Sequence, residues 1–516
     1  MLVNLLARLG APLLALSDKP KSTPAAMRVA QDRILRRLVI EQRRLPVGRQ
    51  FGLDRLPVGD GLTQAFRAQV PATGYQDYAE LFARVAKGDA DVLFPGRAIA
   101  LAQTSGTTSD AAAGERFIPQ SRGLMKNHRA GAQAAFSRLI KVGGTRCFDG
   151  RLLMMGGSTD LRLNAAGIPC GDLSGIVVSM IPTWLGNLYE PGRAIALERD
   201  WPTKVAKMVA RCGHADIRLA SGIGSWMLML FENICKERGV TRIRDAWPDL
   251  DLVIHGGHAF EPVVPQFAHH LKPGTWLMEV YPASEAFIAI GSRPWRIDEG
   301  APPPLEVLGD HGIVVEFAPE SAGTCDPTRA VGPDGLEAGQ LYRLLLTTPG
   351  GLVRYQLGDL VVGVAPGQMR FGGRVKTRIS VFGEHVEGFQ LADACAAACA
   401  ATGAQVAHYH VAPVLPKPGE VRGAHEWIVE FAVAPKDPAA FIAALDARLV
   451  KEVGDYEAHR LVQLDVPRLT PVPTGTFDRW LASKGKLGGQ HKVPQAWNDR
   501  TIADALLASA AVLVKE

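Results

Sequence analysis

The sequence predicts an α/β fold with a large N-terminal domain and a smaller C-terminal domain. Between residues 120 and 300, short apolar runs alternate with helical patterns, as in an α/β layer with a mostly parallel sheet. From about residue 340, strands separated by tight turns predict a small antiparallel β unit. A second α/β pattern then follows. The boundary is expected near residue 380, which gives domains 1–380 and 381–516.

The elements of each domain follow from these patterns in chain order. In the first domain, the alternating strands and helices are RLLMMGG, PTKVAKMVARC, DIRLASG, SWMLMLFENICKERG, LDLVIHGG and TWLMEVYPASE. In the second domain, a helix at about 390–401 precedes the strands VAHYHVAPVL and HEWIVEFAVAP, the helix PAAFIAALDARLVKEV and a last strand near LVQLDVPRL.

Composition excludes several classes of protein. The 516 residues are 47% hydrophobic and 21% charged, as in ordinary globular proteins, and the net charge of +5 is too mild for a nucleic-acid-binding face. The densest basic stretch, residues 28–44, has apolar residues near helical spacing, including Val29, Leu35 and Ile40, and is predicted to be a core-facing helix with a solvated arginine face. No nucleic-acid partner is expected.

Targeting signals and cysteine usage suggest a soluble cytoplasmic protein. The apolar N-terminal residues 1–19 have no preceding basic residues and are predicted to form an amphipathic helix rather than a secretion signal. No uncharged apolar run reaches the ~18 residues of a membrane-spanning helix, so no membrane partner is expected. The seven cysteines are scattered without metal-binding spacing, which fits a reducing compartment.

The most distinctive local segment follows the apolar strand LAQ. Five small residues stand in a row, Thr104, Ser105, Gly106, Thr107 and Thr108. Their backbone N–H groups and hydroxyls suit the oxygens of a polyphosphate, although such residues are also typical of a plain flexible loop. The segment is not a Walker A loop, because the required Gly-Lys-Ser/Thr ending is absent.

Two acidic residues are predicted near the ends of strands. Glu285 comes just after an apolar strand, together with Tyr281, Ala283 and Ser284, and Asp359 follows a strand and a glycine. A carboxylate held at the mouth of a sheet is a natural ligand for Mg²⁺ or for ribose hydroxyls. With the 104–108 segment, these residues suggest a nucleotide site.

In their order and spacing, four motifs give the chain a specific resemblance that covers nearly its whole length. It resembles the adenylate-forming superfamily and, within it, the plant auxin-conjugating acyl acid amido synthetases and their bacterial relatives. The motifs that carry the resemblance are TSGTT, EVYPASE, GGLVRYQLGD and PTGTFDRWLASKGKLGGQHKVPQ.

The resemblance assigns expected roles to the first two motifs. It places residues 104–108 on the ATP phosphates, and Tyr281, Ala283 and Ser284 around the adenine and the α-phosphate. Glu285 would hold Mg²⁺.

Further roles follow for residues elsewhere in the chain. The resemblance places Gly256 and Gly257 in the turn that lines the adenine and acyl pocket. Asp359 would bind the ribose, and Arg374 is counted with the cofactor-binding residues. His255 and His258 beside the two glycines could suggest a metal site, but without a carboxylate partner at metal spacing they fit local hydrogen bonding better.

The sequence departs from the family pattern at several positions. Arg116 replaces a lysine after the first motif, and Pro282 and Ala286 replace residues that are more often Asn and Gly. His385 stands where plant members carry a lysine for the phosphates. Because a neutral imidazole cannot replace an ammonium at pH 7 without a raised pKa, Lys492 is the expected mobile catalytic cation.

The resemblance implies a ligase that uses ATP and Mg²⁺. A carboxylic acid would become its acyl adenylate with release of pyrophosphate, and an amine, expected to be an amino acid, would then form an amide and release AMP. The C-terminal domain would rotate about a hinge near Arg374 to Ser380. The alternatives are a different acceptor, such as coenzyme A or another nitrogen nucleophile, and a nucleotide-binding protein that has lost turnover. A monomer or weak dimer is expected.

Overall fold

The computed structural model describes residues 23–513, except for 104–115, 157–160, 181–185, 187, 199, 258–259, 261–262, 322–323, 375–377, 383, 385, 417–421, 463 and 485–492. Five features of the sequence analysis lie outside the described residues. These are the N-terminal helix, the 104–108 segment, His258, His385 and Lys492.

The chain divides into two compact units. The first consists of Met1–Glu320, Cys325–Leu357 and Val362–Arg370, and the second of Ser321–Thr324, Gly358–Val361 and Phe371–Glu516. Helices account for 43% and strands for 26%, so the predicted α/β class is confirmed. The domain division at residue 380 remains a prediction.

The described α-helices before residue 300 all belong to the first unit. They are α1 (Pro24–Gln42), α2 (Pro46–Gln50), α3 (Leu62–Gln69), α4 (Ala79–Ala86), α5 (Arg122–Gly143), α6 (Leu173–Ser179), α7 (Arg193–Ala196), α8 (Trp201–Cys212), α9 (Gly224–Arg238), α10 (Ile243–Ala246) and α11 (Val264–His270).

Seventeen described strands precede residue 375. They are β1 (Ala100–Gln103), β2 (Phe117–Gln120), β3 (Arg151–Met155), β4 (Arg162–Leu163), β5 (Pro169–Asp172), β6 (Tyr189–Glu190), β7 (Ile217–Ile223), β8 (Leu252–Gly256), β9 (Trp276–Pro282), β10 (Phe287–Gly291), β11 (Trp295–Arg296), β12 (Leu305–Val307), β13 (Val314–Ser321), β14 (Thr324–Cys325), β15 (Leu341–Thr347), β16 (Tyr355–Ala365) and β17 (Gln368–Arg374).

These strands form two sheets. The large sheet has the order β14-β13-β15-β16-β17-β12-β10-β9-β8-β7-β3-β6, with β11 beside β9. The small sheet has the order β2-β1-β5-β4. Strands β6, β3, β7, β8 and β9 run parallel to their neighbours in that series, as the alternating sequence pattern predicts.

A glycine in helix α5 allows the helix to pack closely against the large sheet. The N-terminus of the helix is capped by Ser121, whose hydroxyl accepts from the amide of Leu124 at 3.0 Å. A Cβ on Gly131 would lie 2.2 Å from the ring of Phe287, so any larger residue would push the helix off β10. The helix therefore packs directly on the strand that follows the EVYPASE motif.

Helix α1 corresponds to the basic stretch and buries Leu35 and Leu38 in the core. The prediction that Val29 and Ile40 also face the core is wrong, because they are 67% and 51% exposed. At 100° per residue, both positions fall on the face opposite Leu35 and Leu38.

The second unit is a three-stranded sheet, ordered β18-β19-β20, with helices around it. Trp427 on β19 is completely buried among apolar residues of the helices. The predicted last strand is wrong in its start, because a helix runs through Val462 and the strand begins only at Arg468. The elements are α12 (Gly388–Thr402), β18 (Gln405–Val414), β19 (Ala424–Val433), α13 (Pro438–Glu452), α14 (Gly454–Val462), β20 (Arg468–Val472), α15 (Thr476–Ser483) and α16 (Thr501–Leu513).

No helix within the described ranges is long and apolar enough to cross a membrane.

Candidate active site

The candidate site lies at the carboxyl edge of the parallel strands in the first unit. The strand register places Met155 opposite Gly222, Gly222 opposite His255, and Gly256 opposite Val280. The segments that leave β3, β7, β8 and β9 therefore start at the same edge, where open α/β sheets bind their ligands. The fold thus brings the HGG turn beside the EVYPASE segment.

The two glycines of the HGG turn are required by the backbone. A Cβ on Gly256 would lie 2.3 Å from the carbonyl oxygen of Val280, and Gly257 has a φ of +88°. No other residue fits the first position, and a side chain at the second would be strained. These glycines therefore let the turn after β8 pass close to β9.

The turn between β9 and β10 carries the acidic residue of the second motif. The amide of Ala283 donates to the carbonyl of Ala286 at 2.8 Å, which closes the turn. Tyr281, Ser284 and Glu285 are all buried, with exposures of 9%, 7% and 8%. A buried carboxylate needs a compensating partner, and Glu285 has interactions within the protein.

Two hydrogen bonds of Ser284 connect this turn to the two strands that precede and follow residues 104–115. Its hydroxyl donates to the carbonyl of Gln103 at 3.3 Å, and the side-chain amide of Gln120 donates to the Ser284 carbonyl at 2.9 Å. Gln103 ends β1 and Gln120 ends β2. The residues predicted to bind phosphate lie outside the described chain, but Gln103, directly before them, is held beside the turn that carries Glu285.

Sequence analysis missed Gln120 and a second residue, Asn127. The side chain of Asn127 on α5 accepts from the amide of Phe287 at 2.7 Å and donates to its carbonyl at 3.1 Å. It therefore fixes the start of β10, two residues after Glu285. The only sequence signal is a polar residue on an otherwise core-facing helix side, which does not identify its partner.

The side chain of Tyr355, in the third motif, is affected by the charge of Glu285. Burial, and then the nearby carboxylate of Glu285, raise the pKa of the Tyr355 phenol far above its ordinary value. The phenol therefore remains protonated at neutral pH. The Arg116 guanidinium acts on Tyr355 in the opposite direction and lies 4.9 Å from the centre of the Tyr75 ring.

Arg354, the neighbour of Tyr355, is a structural anchor. It is 1% exposed, has a φ of +43°, and pairs with the buried Glu316 at 3.0 Å. Its guanidinium also donates to the carbonyls of Arg67 and Val70, at 3.0 and 2.8 Å. This network holds a strained backbone immediately before Tyr355.

Asp359 and Arg374 belong to the second unit. Asp359 is 3% exposed. The expectation that it follows a strand is wrong, because β16 continues from Tyr355 to Ala365 through it. Gly358 has a φ of +83°, which distorts the strand locally without ending it. Arg374 is the last residue of β17.

Metal binding can be assessed from the donor groups. No group of three or more His, Cys, Asp or Glu side chains in the described part of the chain could hold a metal ion by itself. This arrangement still fits Mg²⁺, which commonly takes one or two protein carboxylates and completes its shell with phosphate oxygens and water. Glu285, fixed beside the ends of β1 and β2, offers one such carboxylate.

Family models match three consecutive parts of the chain. The GH3 family N-terminal domain matches residues 21–213, the central domain 307–374 and the C-terminal domain 389–501. The chain belongs to the GH3 family. The resemblance to acyl acid amido synthetases is thereby confirmed at the family level. No curated protein matches the sequence.

Solved structures share the fold of this GH3 chain over most of its length. The GH3.15 acyl acid amido synthetase is 15% identical, covers 93% of both chains and gives a TM-score of 0.72. AtGH3.15 in complex with 2,4-DB is 16% identical, covers 95% of this chain and 97% of its own, and gives 0.74. A 2-hydroxyisobutyryl-CoA ligase in the postadenylation state with 2-HIB-AMP is 15% identical, covers 93% and 91%, and gives 0.59. The adenylate-forming fold is therefore shared.

Proposed function

We propose that this GH3 chain is an ATP-dependent ligase that adenylates a carboxylic acid and transfers the acyl group to an amine, expected to be an amino acid. The products are an amide, AMP and pyrophosphate. The observation that carries the proposal is the turn bearing Glu285, which hydrogen bonds hold against the end of β1, directly before residues 104–115, and against Gln120 of β2. The GH3.15 structures, named as acyl acid amido synthetases, support the same reaction.

In the first half-reaction, the substrate carboxylate attacks the α-phosphate of ATP. Hydroxyls and amides of residues 104–108 bind the phosphates, and Glu285 would hold Mg²⁺, whose charge would offset the negative charge that develops there. Tyr281, Ala283 and Ser284 surround the adenine and the α-phosphate. Most of this catalysis is positioning and charge neutralisation, so no protein nucleophile is needed.

Two further contacts position the nucleotide. Gly256 and Gly257 line the adenine and acyl pocket. Because glycine has no side chain, the nucleotide can approach the backbone of this turn closely. The carboxylate of Asp359 accepts hydrogen bonds from the ribose hydroxyls, and Arg374 also binds the cofactor.

The C-terminal domain, residues 381–516, is proposed to move between the half-reactions about a hinge near Arg374 to Ser380. In the adenylating orientation Lys492 neutralises charge on the departing pyrophosphate. The amine then attacks the acyl adenylate after rotation, and closure keeps water from the mixed anhydride. We place the enzyme in the cytoplasm as a monomer or weak dimer that acts on small molecules.

The decisive experiment is acid-dependent pyrophosphate release with MgATP across aryl, indolyl and fatty acids. Mass analysis after addition of each amino acid should detect an amide. Release that yields a thioester with coenzyme A, and no amide, would favour the second candidate, an acyl-CoA ligase, which the similarity to 2-hydroxyisobutyryl-CoA ligase supports. ATP binding without release for any acid would favour a nucleotide-binding protein without turnover.

A further inference from the structure

Lys204 is a buried lysine whose ammonium reaches the end of a strand of the candidate site. It lies on α8 and is only 1% exposed. Its ammonium donates to the carbonyl of Gly156, directly after β3, at 3.1 Å, and to the carbonyl of Ala196 at 2.8 Å. Burying an ammonium is costly, so its hydrogen bonds and nearby carboxylates must compensate.

One of these carboxylates connects Lys204 to the other sheet. Asp172 ends β5 in the small sheet, and its charge acts on Lys204. In the parallel register Asp172 lies opposite Gln103, whose carbonyl accepts from Ser284. Lys204 thus interacts with the carboxyl ends of β3 in the large sheet and β5 in the small one.

The charge on Lys204 is sensitive to pH just above neutrality. Burial lowers the pKa of its ammonium to about 8, against the opposing effects of Asp172 and Glu198. Glu198 also pairs with Lys207 on the same helix, at 2.5 Å. The ammonium is therefore mostly charged at pH 7 and mostly neutral at pH 9.5.

We propose that Lys204 is a positioning residue for ATP, whose charge keeps the ends of β3 and β5 at the spacing that the nucleotide requires. It acts through Gly156, and through Asp172 and Gln103, rather than by touching the substrate. The inference rests on the proposed function, because it assumes that residues 104–108 bind the phosphates of ATP.

The test is MgATP affinity, measured by calorimetry at pH 7.5 and 9.5, where the phosphates of ATP are already ionised. The wild-type affinity should fall about fivefold or more at the higher pH. Lys204→Met should bind about tenfold more weakly at pH 7.5 and lose the pH dependence, as expected for a charged hydrogen-bond donor. Lys204→Arg keeps its charge at both pH values and should show no alkaline loss.

The Asp172→Asn variant tests the same pH dependence of MgATP affinity in a second way. Asp172 raises the pKa of Lys204, so its neutralisation should move the loss of ATP affinity to lower pH. The Asp172 side chain also accepts from the amide of Ser174 at 3.0 Å, a cap that asparagine can preserve. Lys207→Met, which removes an exposed ammonium from the same helix, should remain within about twofold of wild type.

Measurements of thermal stability distinguish a role of Lys204 in positioning ATP from a role in stabilising the fold alone. Because the folded pKa of Lys204, about 8, is below its ordinary value of 10.5, its contribution to stability rises between these pH values. The Tm of wild type relative to Lys204→Met should therefore rise from pH 7.5 to 9.5 while ATP affinity falls.

Failure of this inference can be distinguished from failure of the proposed function. Wild-type affinity and pH dependence in Lys204→Met would overturn the role of Lys204. If that variant does not fold, an unshifted profile in Asp172→Asn, or an alkaline loss retained in Lys204→Arg, would do so. Strong ATP binding by the wild type without acid-dependent pyrophosphate release would overturn the ligase activity and leave the role of Lys204 standing.

Discussion

At the scale of single residues, the site depends on a carboxylate held in a buried turn. Glu285 is 8% exposed and close enough to Tyr355 to raise the pKa of that phenol. Buried carboxylates with an electrostatic partner are common at functional sites, which makes Glu285 the first residue to test.

Glu285→Gln should abolish most adenylation while the fold remains intact. The amide keeps the shape of the side chain but loses the charge that binds Mg²⁺, and loss of one group that stabilises developing charge costs ~10²–10³ in rate. Pyrophosphate release and Tm are the measurements. Glu237→Gln removes an exposed carboxylate and should change neither. Near-normal release by Glu285→Gln would remove it from the metal site.

Asp359→Ala should raise the KM for ATP more than the KM for the acid. A charge-assisted hydrogen bond to the ribose contributes about 1.5–3 kcal/mol, or roughly ten- to a hundredfold in affinity. Steady-state kinetics with each substrate varied in turn measures both constants. An unchanged KM for ATP would show that Asp359, which is 3% exposed within β16, serves only the strand.

At the scale of elements, the β9–β10 turn is held from three directions. Gln103 accepts from Ser284, Gln120 donates to its carbonyl, and Asn127 from α5 fixes Phe287. These bonds join the ends of β1 and β2, the turn and one helix into a single rigid group. Preorganisation of this kind is what a site needs to place reacting groups within a fraction of an ångström.

Gln120→Leu tests this group. The change leaves the carbonyl of Ser284 without its side-chain donor and should lower the free energy of unfolding by about 1–3 kcal/mol. Because the turn carries Glu285, adenylation kcat/KM should fall about tenfold or more. Chemical denaturation and pyrophosphate release give the two values.

A matched control is available in Gln76→Leu, which changes an exposed glutamine. It should leave stability within about 0.5 kcal/mol of wild type. Loss of stability in Gln120→Leu with unchanged kcat/KM would show that the bond supports the fold but not the placement of Glu285.

At the scale of the whole molecule, the proposed chemistry assigns different work to the two domains. The phosphates are proposed to bind in the first domain, whereas Lys492 belongs to the second. A cation from a mobile domain can act only while the domains are closed in the adenylating orientation. The two half-reactions should therefore respond differently to its removal.

Lys492→Ala should slow adenylation by ~10²–10³ and affect amide formation from supplied acyl adenylate far less. The charge that Lys492 offsets has left with pyrophosphate before the amine attacks. Pyrophosphate release and single-turnover amide formation measure the two steps. Equal losses in both, or none in either, would contradict this division of labour.

His385→Ala is the internal comparison for that experiment. If His385 rather than Lys492 neutralises the phosphates, this variant should lose adenylation, most strongly at low pH, where the wild-type imidazole carries a proton. Unimpaired adenylation by His385→Ala across the pH range would leave Lys492 as the cation.

The sequence by itself determined the α/β class, the order of the strands and helices, and the family. Apolar periodicity and turn residues act over a few positions, so they can be recognised without knowing what lies across the fold. Gly256 and Gly257 were singled out by the resemblance to a known family, and the backbone explains why both are glycine.

Only the tertiary structure decided how those pieces are held together. Asn127 and Gln120 act on partners 160 and 164 residues away, and Lys204 acts on strand ends from two sheets. In the sequence each is an ordinary polar side chain on a strand or helix. A hydrogen bond forms only when donor and acceptor lie within about 3 Å, and for residues far apart in the chain that distance is set by packing of the whole fold, which no local pattern contains.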